Sequence, residues 1–430
     1  MSATSDRAIW DAAETMPREA LRALQLERLQ ATVARVLGAQ PLGAVRLAGA
    51  GIGAIDSLED LARLPFSWKS DLRDSYPFSM LTVPREQVVR LHASSGSHGK
   101  PTVVGYTRAD LDAWAELMAR CMTMAGVRPG MLVHNANGYG LFTGGFGFHD
   151  GAERIGATVI PVSGGFSARQ AMLLSDLGGQ VLVSTPSYAL VIAQAVRDAG
   201  LDPAELRLEL GLFGGEPFSE AMRDQIEREL GLRAVGFYGL SEMCGPGVAA
   251  ECPAREGLHV QEDHFLVEVV DPDSGEPVGE GQDGELVFTT LAKEALPLIR
   301  YRTGDIGSLE SGPCACGRTF ARIASLRGRR DDMLIVRGVN LFPSTVEHLL
   351  VGVDEVAPHY RLILEREGTM DELTVECEPA SGEVDRSGLA ARLEHLLREH
   401  TGLRIAVAVV EPGAVPRSEG KAVRVVDRRG

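Results

Sequence analysis

The sequence predicts an α/β fold in two parts. A large N-terminal α/β domain spans residues 1–330, with a β subdomain around 258–330, and a small α+β domain spans 331–430. Three observations carry this. At 430 residues the chain is longer than one ordinary hydrophobic core serves. From about residue 88, short apolar runs alternate with longer amphipathic stretches, the pattern of a sheet with helices on its faces. Beyond residue 258 the helical pattern thins, and it returns only in the last part of the chain.

The elements follow in order. Leu21, Leu24, Leu26, Leu29, Val33, Val36 and Leu37 fall at helical spacing after Pro17, so the chain opens with an amphipathic, core-facing helix. VVRLHA (88–93) is a strand that runs into a Gly-rich turn, and Thr107 with Asp110 forms the capping box of a helix reaching Ala125. MLVHNA (131–136), ATVIPV (157–162), QVLVST (180–185), LGLFG (210–214) and RAVGFYG (233–239) are the next strands. LHVQEDHFLVEVVD (258–271), GELVFTTL (284–291) and DIGSLE (305–310) read as antiparallel β structure. After Asp332 come a strand in 333–342, a helix in 344–353, strands at 361–366 and 373–378, a helix at 388–402 and a strand at 405–413, a β-α-β-β-α-β order.

Composition removes several classes of function. A formal charge of -16, from 43 basic and 59 acidic residues, opposes binding to nucleic acid or to an anionic membrane. No apolar run approaches the roughly 20 residues a membrane span needs, and MSATSDRAIWDAAE lacks the basic and apolar regions of a signal peptide, so a cytoplasmic location is expected. Six cysteines without regular spacing make no disulfide framework.

Five segments carry chemistry. Ser94-Ser95-Gly96-Ser97-His98-Gly99-Lys100, placed between a strand and a helix, offers backbone N–H groups, hydroxyls and one cation to phosphate oxygens, without the spacing of the P-loop. Phe237-Tyr238-Gly239-Leu240-Ser241-Glu242 ends in a carboxylate at a strand's C-terminal edge, a position suited to Mg²⁺. Tyr301-Arg302-Thr303-Gly304-Asp305 sets a carboxylate after a turn, where it can accept two ribose hydroxyls. Arg329-Arg330-Asp331-Asp332 marks a charged junction, and Arg417-Ser418-Glu419-Gly420-Lys421 lies close to the C-terminus. Each alone is commonplace, and their order is what matters.

Together these segments resemble the acyl- and aryl-CoA synthetase branch of the adenylate-forming superfamily. With PFSWKSDLRDSYPF (65–78), residues 138–165, GGEPFSE (214–220), GPGVAAEC (245–252) and DDMLIVRGVNLFPS (331–344), the chain resembles the phenylacetate-coenzyme A ligase family from about residue 10 to 428. The resemblance implies an adenylate-forming N-terminal domain and a mobile C-terminal domain, with ATP, Mg²⁺ and coenzyme A as cofactors. It implies that Ser94 to Lys100 cradle the β- and γ-phosphates, that Gly214, Gly215, Glu216 and Pro217 flank adenine, and that Tyr238 and Gly239 lie beside it. Glu242 would bind Mg²⁺, Asp305 would hold the ribose with help from Arg329, and Lys421 would be the adenylation lysine. Asp331 would be the hinge, Gly338 would meet the pantetheine arm, and Asn137, Tyr139, Phe142 and Gly144 would line the acyl pocket. A homodimer is expected from the amphipathic N-terminal segment and family habit.

Two departures from the family pattern stand out. His98 replaces a threonine of the usual SSGTTGKPT loop, which removes a hydroxyl and adds a titratable ring. Asn137 replaces the tyrosine that commonly precedes GYGLFTGG, which gives space and hydrogen-bonding capacity and predicts an aromatic acid bearing a hydroxyl or amino group, such as a substituted benzoate or phenylacetate. Separately, Cys252, His259, Cys314 and Cys316 supply one imidazole and three thiols, either a closed structural zinc set or four unrelated residues. Cys121, Cys244 and Cys377 read as packing residues. The leading function is an AMP-forming aryl-CoA ligase. The alternatives are an adenylate-forming enzyme that passes its acyl group to an amine or a carrier-protein thiol, and a non-catalytic adenylate-binding protein, which the presence of both Glu242 and Lys421 disfavours.

Overall fold

The computed structural model describes residues 8–94, 101–337, 339–367, 370–382, 384–417 and 423–429. Helices α1 (Arg18–Ala39), α2 (Pro41–Gly49) and α3 (Lys69–Asp74) precede a hairpin of β1 (Arg90–Ser94) and β2 (Thr102–Tyr106). Strands and helices then alternate: α4 (Arg108–Ala125), β3 (Leu132–Asn135), α5 (Gly144–Ile155), β4 (Thr158–Ile160), α6 (Ser167–Leu177), β5 (Val181–Ser184), α7 (Pro186–Asp198), β6 (Leu210–Gly214), α8 (Glu220–Leu230) and β7 (Arg233–Leu240). Strands β8 (Gly245–Glu251), β9 (Leu258–Val260), β10 (Phe265–Val270), β11 (Gly284–Thr290), β12 (Tyr301–Glu310) and β13 (Arg322–Arg329) follow in succession. The small domain comprises β14 (Leu334–Val336), β15 (Val339–Leu341), α9 (Pro343–Val351), β16 (Val356–Glu367), β17 (Met370–Pro379), α10 (Arg386–Thr401), β18 (Ala406–Val409) and β19 (Val425–Asp427).

Among the described residues, β3 to β13 form one eleven-stranded sheet in the order β10-β11-β12-β13-β9-β8-β7-β6-β5-β3-β4. The part from β4 to β7 is parallel and the remainder antiparallel. The expected β subdomain is therefore continuous with the α/β sheet, because β8 folds back on β7 and β9 on β8. Helices α4 and α5 bury Trp114, Leu117, Met118 and Phe148 on one face, and α6, α7 and α8 bury Leu174, Leu190, Ile226 and Leu230 on the other. The central parallel strands β5 and β6 read as apolar runs because both their faces are covered.

Three sequence expectations are revised. The strand β1, which ends at Ser94, is followed in the described residues by a second strand, where a helix was expected, since the β-branched TVVGY run pairs with β1 before α4 begins. Thr303-Gly304-Asp305 lies inside β12 at a bulge, where a turn was expected. Gly304 has φ +79°, its N–H is taken by Glu285 Oε1 at 3.0 Å, and a Cβ there would sit 3.2 Å from the Arg329 guanidinium. The small domain adds the hairpin β14–β15 and a last strand, β19, which pairs parallel to β16.

The apolar face of α1 packs within the chain, through Leu29, Val33 and Val36 against Leu47, Ile52, Leu64 and Ile299, so it offers no ground for a homodimer. No helix of the described residues is long and apolar enough to cross a membrane.

The Thr107–Asp110 capping box forms as expected, and its carboxylate does more than cap. Asp110 accepts from Thr107 N at 2.9 Å, Glu294 N at 2.6 Å and Ala295 N at 2.9 Å, fastening α4 to the segment between β11 and β12. Asp110→Ala orphans three backbone donors and is expected to lower stability by roughly 3–5 kcal/mol, seen as a lower urea midpoint at unchanged slope, with Asp110→Asn losing less.

Candidate active site

The loops at the C-terminal ends of the parallel strands converge on one edge of the sheet, where open α/β sheets bind their ligands. After β3 comes the loop 137–144, after β6 Gly214 to Pro217, and after β7 the turn of Ser241 and Glu242. Gly214 passes so close to β7 that a Cβ would lie 2.4 Å from Phe237 O. Glu216 turns its carboxylate onto Ser187 N at 2.6 Å, at the N-terminus of α7, where the helix dipole favours a negative charge.

Asp305 lies at the centre of a chain of polar contacts. Tyr238 Oη donates to its Oδ2 at 2.6 Å, Arg329 Nη1 reaches its Oδ1 at 3.4 Å, and Arg329 also grips Asp331 with Nε and Nη2 at 2.8 and 2.9 Å. Burial first, and then the Asp305 charge, push the Tyr238 phenol well above its usual value, so it remains a donor. Its ring stacks on Phe288 with centroids 5.9 Å apart. Glu242 is buried, and the Tyr301 phenol beside it is likewise pushed up, by burial first and then by the Glu242 carboxylate. A single buried carboxylate completed by phosphate oxygens and water is a common way to hold Mg²⁺, and Glu242 fits that role.

The 137–144 loop is tied to both sides of this edge. Leu141 O accepts from Ala93 N at 2.9 Å and from His92 Nδ1 at 3.0 Å, so the loop hangs from β1. Thr143 Oγ1 lies 3.3 Å from Ser241 Oγ. Asn135 anchors the loop's start, donating from Nδ2 to Tyr139 Oη and to Gly145 O, both at 2.8 Å. Tyr139 is thereby engaged with Asn135 and His149, while Phe142 is 52% exposed and the Asn137 side chain faces Gly144. Among the described residues the Asn137 side-chain amide makes no hydrogen bond, only its backbone N–H being engaged, with Asn135 Oδ1.

Thus the structure brings together Tyr238, Gly239, Glu242, Asp305, Arg329 and Asp331, with Asn137 and Gly144 on the adjoining loop. Ser95 to Lys100, Gly338 and Lys421 lie outside the described residues. Asp331, the residue expected as the hinge, lies between β13, which ends the large sheet at Arg329, and β14, which opens a separate one at Leu334. Cys252, His259, Cys314 and Cys316 do cluster, away from this edge, on β9 and the loops after β8 and β12. Cys121, Cys244 and Cys377 are buried as expected, and burial pushes the Cys244 thiol up to about 12.

Sequence reasoning passed over Lys293, Tyr106 and His92. Lys293 is buried and donates to Glu242 O at 3.1 Å and Met243 O at 2.7 Å, with its ammonium 4.7 Å from the Tyr106 ring centre. Tyr106 Oη donates to Ser241 O at 3.3 Å and Cys244 O at 3.1 Å. Burial holds the Lys293 ammonium down at about 8. The one signal was a lone lysine in the apolar run FTTLAKEALPLI.

The chain matches the family model of AMP-binding enzymes over residues 94–290 and that of the AMP-binding enzyme C-terminal domain over residues 338–429. It is 51% identical to a phenylacetate-coenzyme A ligase of Thermus thermophilus, over 97% of this chain and 98% of that one. It is 46% identical to a phenylacetate-coenzyme A ligase of Pseudomonas putida, over 99% and 98%. The solved structure of 2-hydroxyisobutyryl-CoA ligase in its postadenylation state, in complex with R3-HIB-AMP, superposes with a TM-score of 0.93 at 31% identity, over 100% of this chain and 94% of that one. The same ligase in its thioesterification state, with 2-HIB-AMP and CoA, gives 0.73 at 32% identity, over 97% and 91%. One relative in two states yields two scores, and the placement of the small domain in this chain is similar to the first.

Lys293→Met removes the donor from two carbonyls of the turn that carries Glu242 while keeping the side chain's bulk. The Mg²⁺ concentration needed for half-maximal ATP binding, read by calorimetry, is expected to rise roughly tenfold or more, with ATP affinity in the absence of Mg²⁺ unchanged. An unaltered Mg²⁺ requirement together with lower thermal stability would reduce Lys293 to a packing residue.

Proposed function

We propose that this chain, which belongs to the phenylacetate-coenzyme A ligase family of adenylate-forming enzymes, takes as its acid an aromatic carboxylate that carries a hydroxyl or amino group. The coarser activity follows from membership: it is an AMP-forming acyl-CoA ligase that works through an acyl-adenylate and uses ATP and coenzyme A. The observation that supports the finer reading is Asn137. Its side-chain amide makes no hydrogen bond among the described residues, on a loop tied to both β1 and the Glu242 turn. The amide's donor and acceptor are thus not committed to the protein and could meet a polar substituent on the ring of the acid.

The reaction has two halves. The acid's carboxylate oxygen attacks the α-phosphorus of ATP, the bond to the pyrophosphate oxygen breaks, and pyrophosphate leaves with the electron pair. The coenzyme A thiolate then adds to the acyl carbon, and AMP departs. In this reading Asp305, held by Tyr238 and Arg329, orients the ribose, and Gly214 to Pro217 flank the adenine with Tyr238 nearby. Ser94 to Lys100 cradle the outer phosphates, and Lys421 sits against the reacting oxygens to stabilise charge in the transition state. Glu242 would hold Mg²⁺, which would supply charge neutralisation to the phosphates. Rotation of the small domain about Asp331 withdraws Lys421 and brings the Gly338 region to the pantetheine arm, so one site serves both halves. The zinc expected at Cys252, His259, Cys314 and Cys316 has no place in these steps.

A panel of substituted benzoates and phenylacetates incubated with MgATP, with and without coenzyme A, tests the reading. AMP and acyl-CoA are expected to form fastest with hydroxy- or amino-substituted acids. No AMP with any acid would point to a binding protein, and AMP release indifferent to coenzyme A would point to an amine or carrier-protein acceptor. Asn137→Tyr is expected to move the kcat/KM ratio toward unsubstituted phenylacetate by roughly 10- to 100-fold, and an unchanged ratio would sink the substrate assignment. Lys421→Ala is expected to slow adenylation by roughly 10²- to 10³-fold while leaving thioester formation from supplied acyl-adenylate near the normal rate.

A further inference from the structure

Cys252, His259, Cys314 and Cys316 are scattered over 65 positions of sequence, yet their ligand atoms all lie within 4.8 Å of one another. Three segments meet there. Cys252 directly follows β8, His259 lies in β9 opposite Ala250 of β8 and Arg322 of β13, and Cys314 and Cys316 belong to the loop from β12 to β13. All four side chains are buried, with His259 wholly inaccessible.

The distances suit a shared cation. Cys252 Sγ and Cys314 Sγ are 3.6 Å apart, and Cys316 Sγ is 3.4 Å from His259 Nε2. Ligand atoms at the corners of a tetrahedron around Zn²⁺, at bond lengths near 2.0–2.3 Å, lie roughly 3.5–3.8 Å apart. A disulfide requires sulfurs at about 2.05 Å, and the cysteines here are free. Cys316 N also points at Cys314 Sγ at 3.5 Å, an N–H contact that favours a thiolate, and the turn closes with Gly317 N donating to Cys314 O at 2.9 Å.

The imidazole makes the strongest case for a missing ligand. His259 Nδ1 has no hydrogen-bond partner among the described residues, and Nε2 meets only a thiol sulfur. A buried ring whose Nε2 meets only a weak sulfur partner is costly, and a bond from Nε2 to a metal would replace that contact with a strong one.

The structure assigns to these four residues a structural zinc site that staples the β12–β13 loop to β8 and β9. Three thiolates and one neutral imidazole fill a tetrahedral coordination sphere, so no position is left for substrate, and uptake of Zn²⁺ releases the thiol protons. The staple has a further consequence. Immediately after Cys316, Arg318 donates to Ala8 O at 2.7 Å and pairs with Glu14, and Thr319 N donates to Glu14 O at 3.0 Å. The metal therefore holds the turn onto which residues 8–16 dock. This assignment stands apart from the proposed acid substrate, and neither depends on the other.

The test uses full-length protein purified with a thiol reductant, dialysed against metal-free buffer and assayed for metals, then stripped and refilled with Co²⁺. About one zinc per chain is expected, with Co²⁺ giving the intense d–d bands of a tetrahedral site and thiolate-to-cobalt charge transfer. Cys316→Ser should lose both signals. The cobalt spectrum of the unaltered protein does not depend on whether that variant folds. Well under one zinc in protein that also takes up no Co²⁺ would overturn the assignment. So would iron in place of zinc, a Cys252–Cys314 disulfide in protein prepared without reductant, or full zinc retention in folded Cys316→Ser.

Discussion

Two donors shape the turn on which the site depends. The Tyr106 hydroxyl binds the carbonyls of Ser241 and Cys244, and the Lys293 ammonium binds those of Glu242 and Met243, so four consecutive carbonyls are held from below by a hairpin strand and a crossing segment. A charged donor on a buried carbonyl is worth about 1.5–3 kcal/mol, enough to keep an otherwise irregular turn in one conformation. Glu242 projects from that turn toward Tyr301, and Ser241 meets Thr143 of the acyl loop. Moving the turn would move Glu242 and the Thr143 end of the 137–144 loop together.

The same economy operates at the junction of the two domains. Arg329 is the last residue of the large sheet, and its guanidinium holds Asp305 on one side and Asp331 on the other. The charge that orients the residue expected at the ribose thereby also restrains the residue expected to turn. The small domain reaches back across the junction, where α9 packs against α8 and β13. Comparison with one relative in two states locates the present arrangement near the postadenylation form.

Much of the candidate site's backbone was legible in the sequence because special backbone conformations leave local marks. Gly214, Gly215 and Gly304 stand where a Cβ would collide or where φ is positive, and Thr107 with Asp110 announced the start of α4. Segments such as GGEP, YGLSE and YRTGD are contiguous, so their order survives reading one letter at a time. Lys293 and Tyr106 were not legible, since a buried amine and a buried phenol look in sequence like any lysine or tyrosine until the chain folds around them. The bulge at Gly304 was mistaken for a turn for a related reason: both use a glycine at positive φ, and only the pairing of β11 with β12 distinguishes them.

From the sequence alone came the α/β class, the two-part division near residue 330, the ordered motifs of an adenylate-forming enzyme and the list of four metal-ligand residue types. These are properties of local pattern and spacing, which hydrophobic periodicity and backbone conformation write directly into the chain. Tertiary structure decided that the β region continues the main sheet, that α1 is spent inside its own chain, and that Lys293 lies under Glu242. It also decided that Cys252, His259, Cys314 and Cys316 share one buried spot. Each of these depends on which distant segments become neighbours, and that is set by long-range strand pairing and the packing of both sheet faces, which no window of sequence contains.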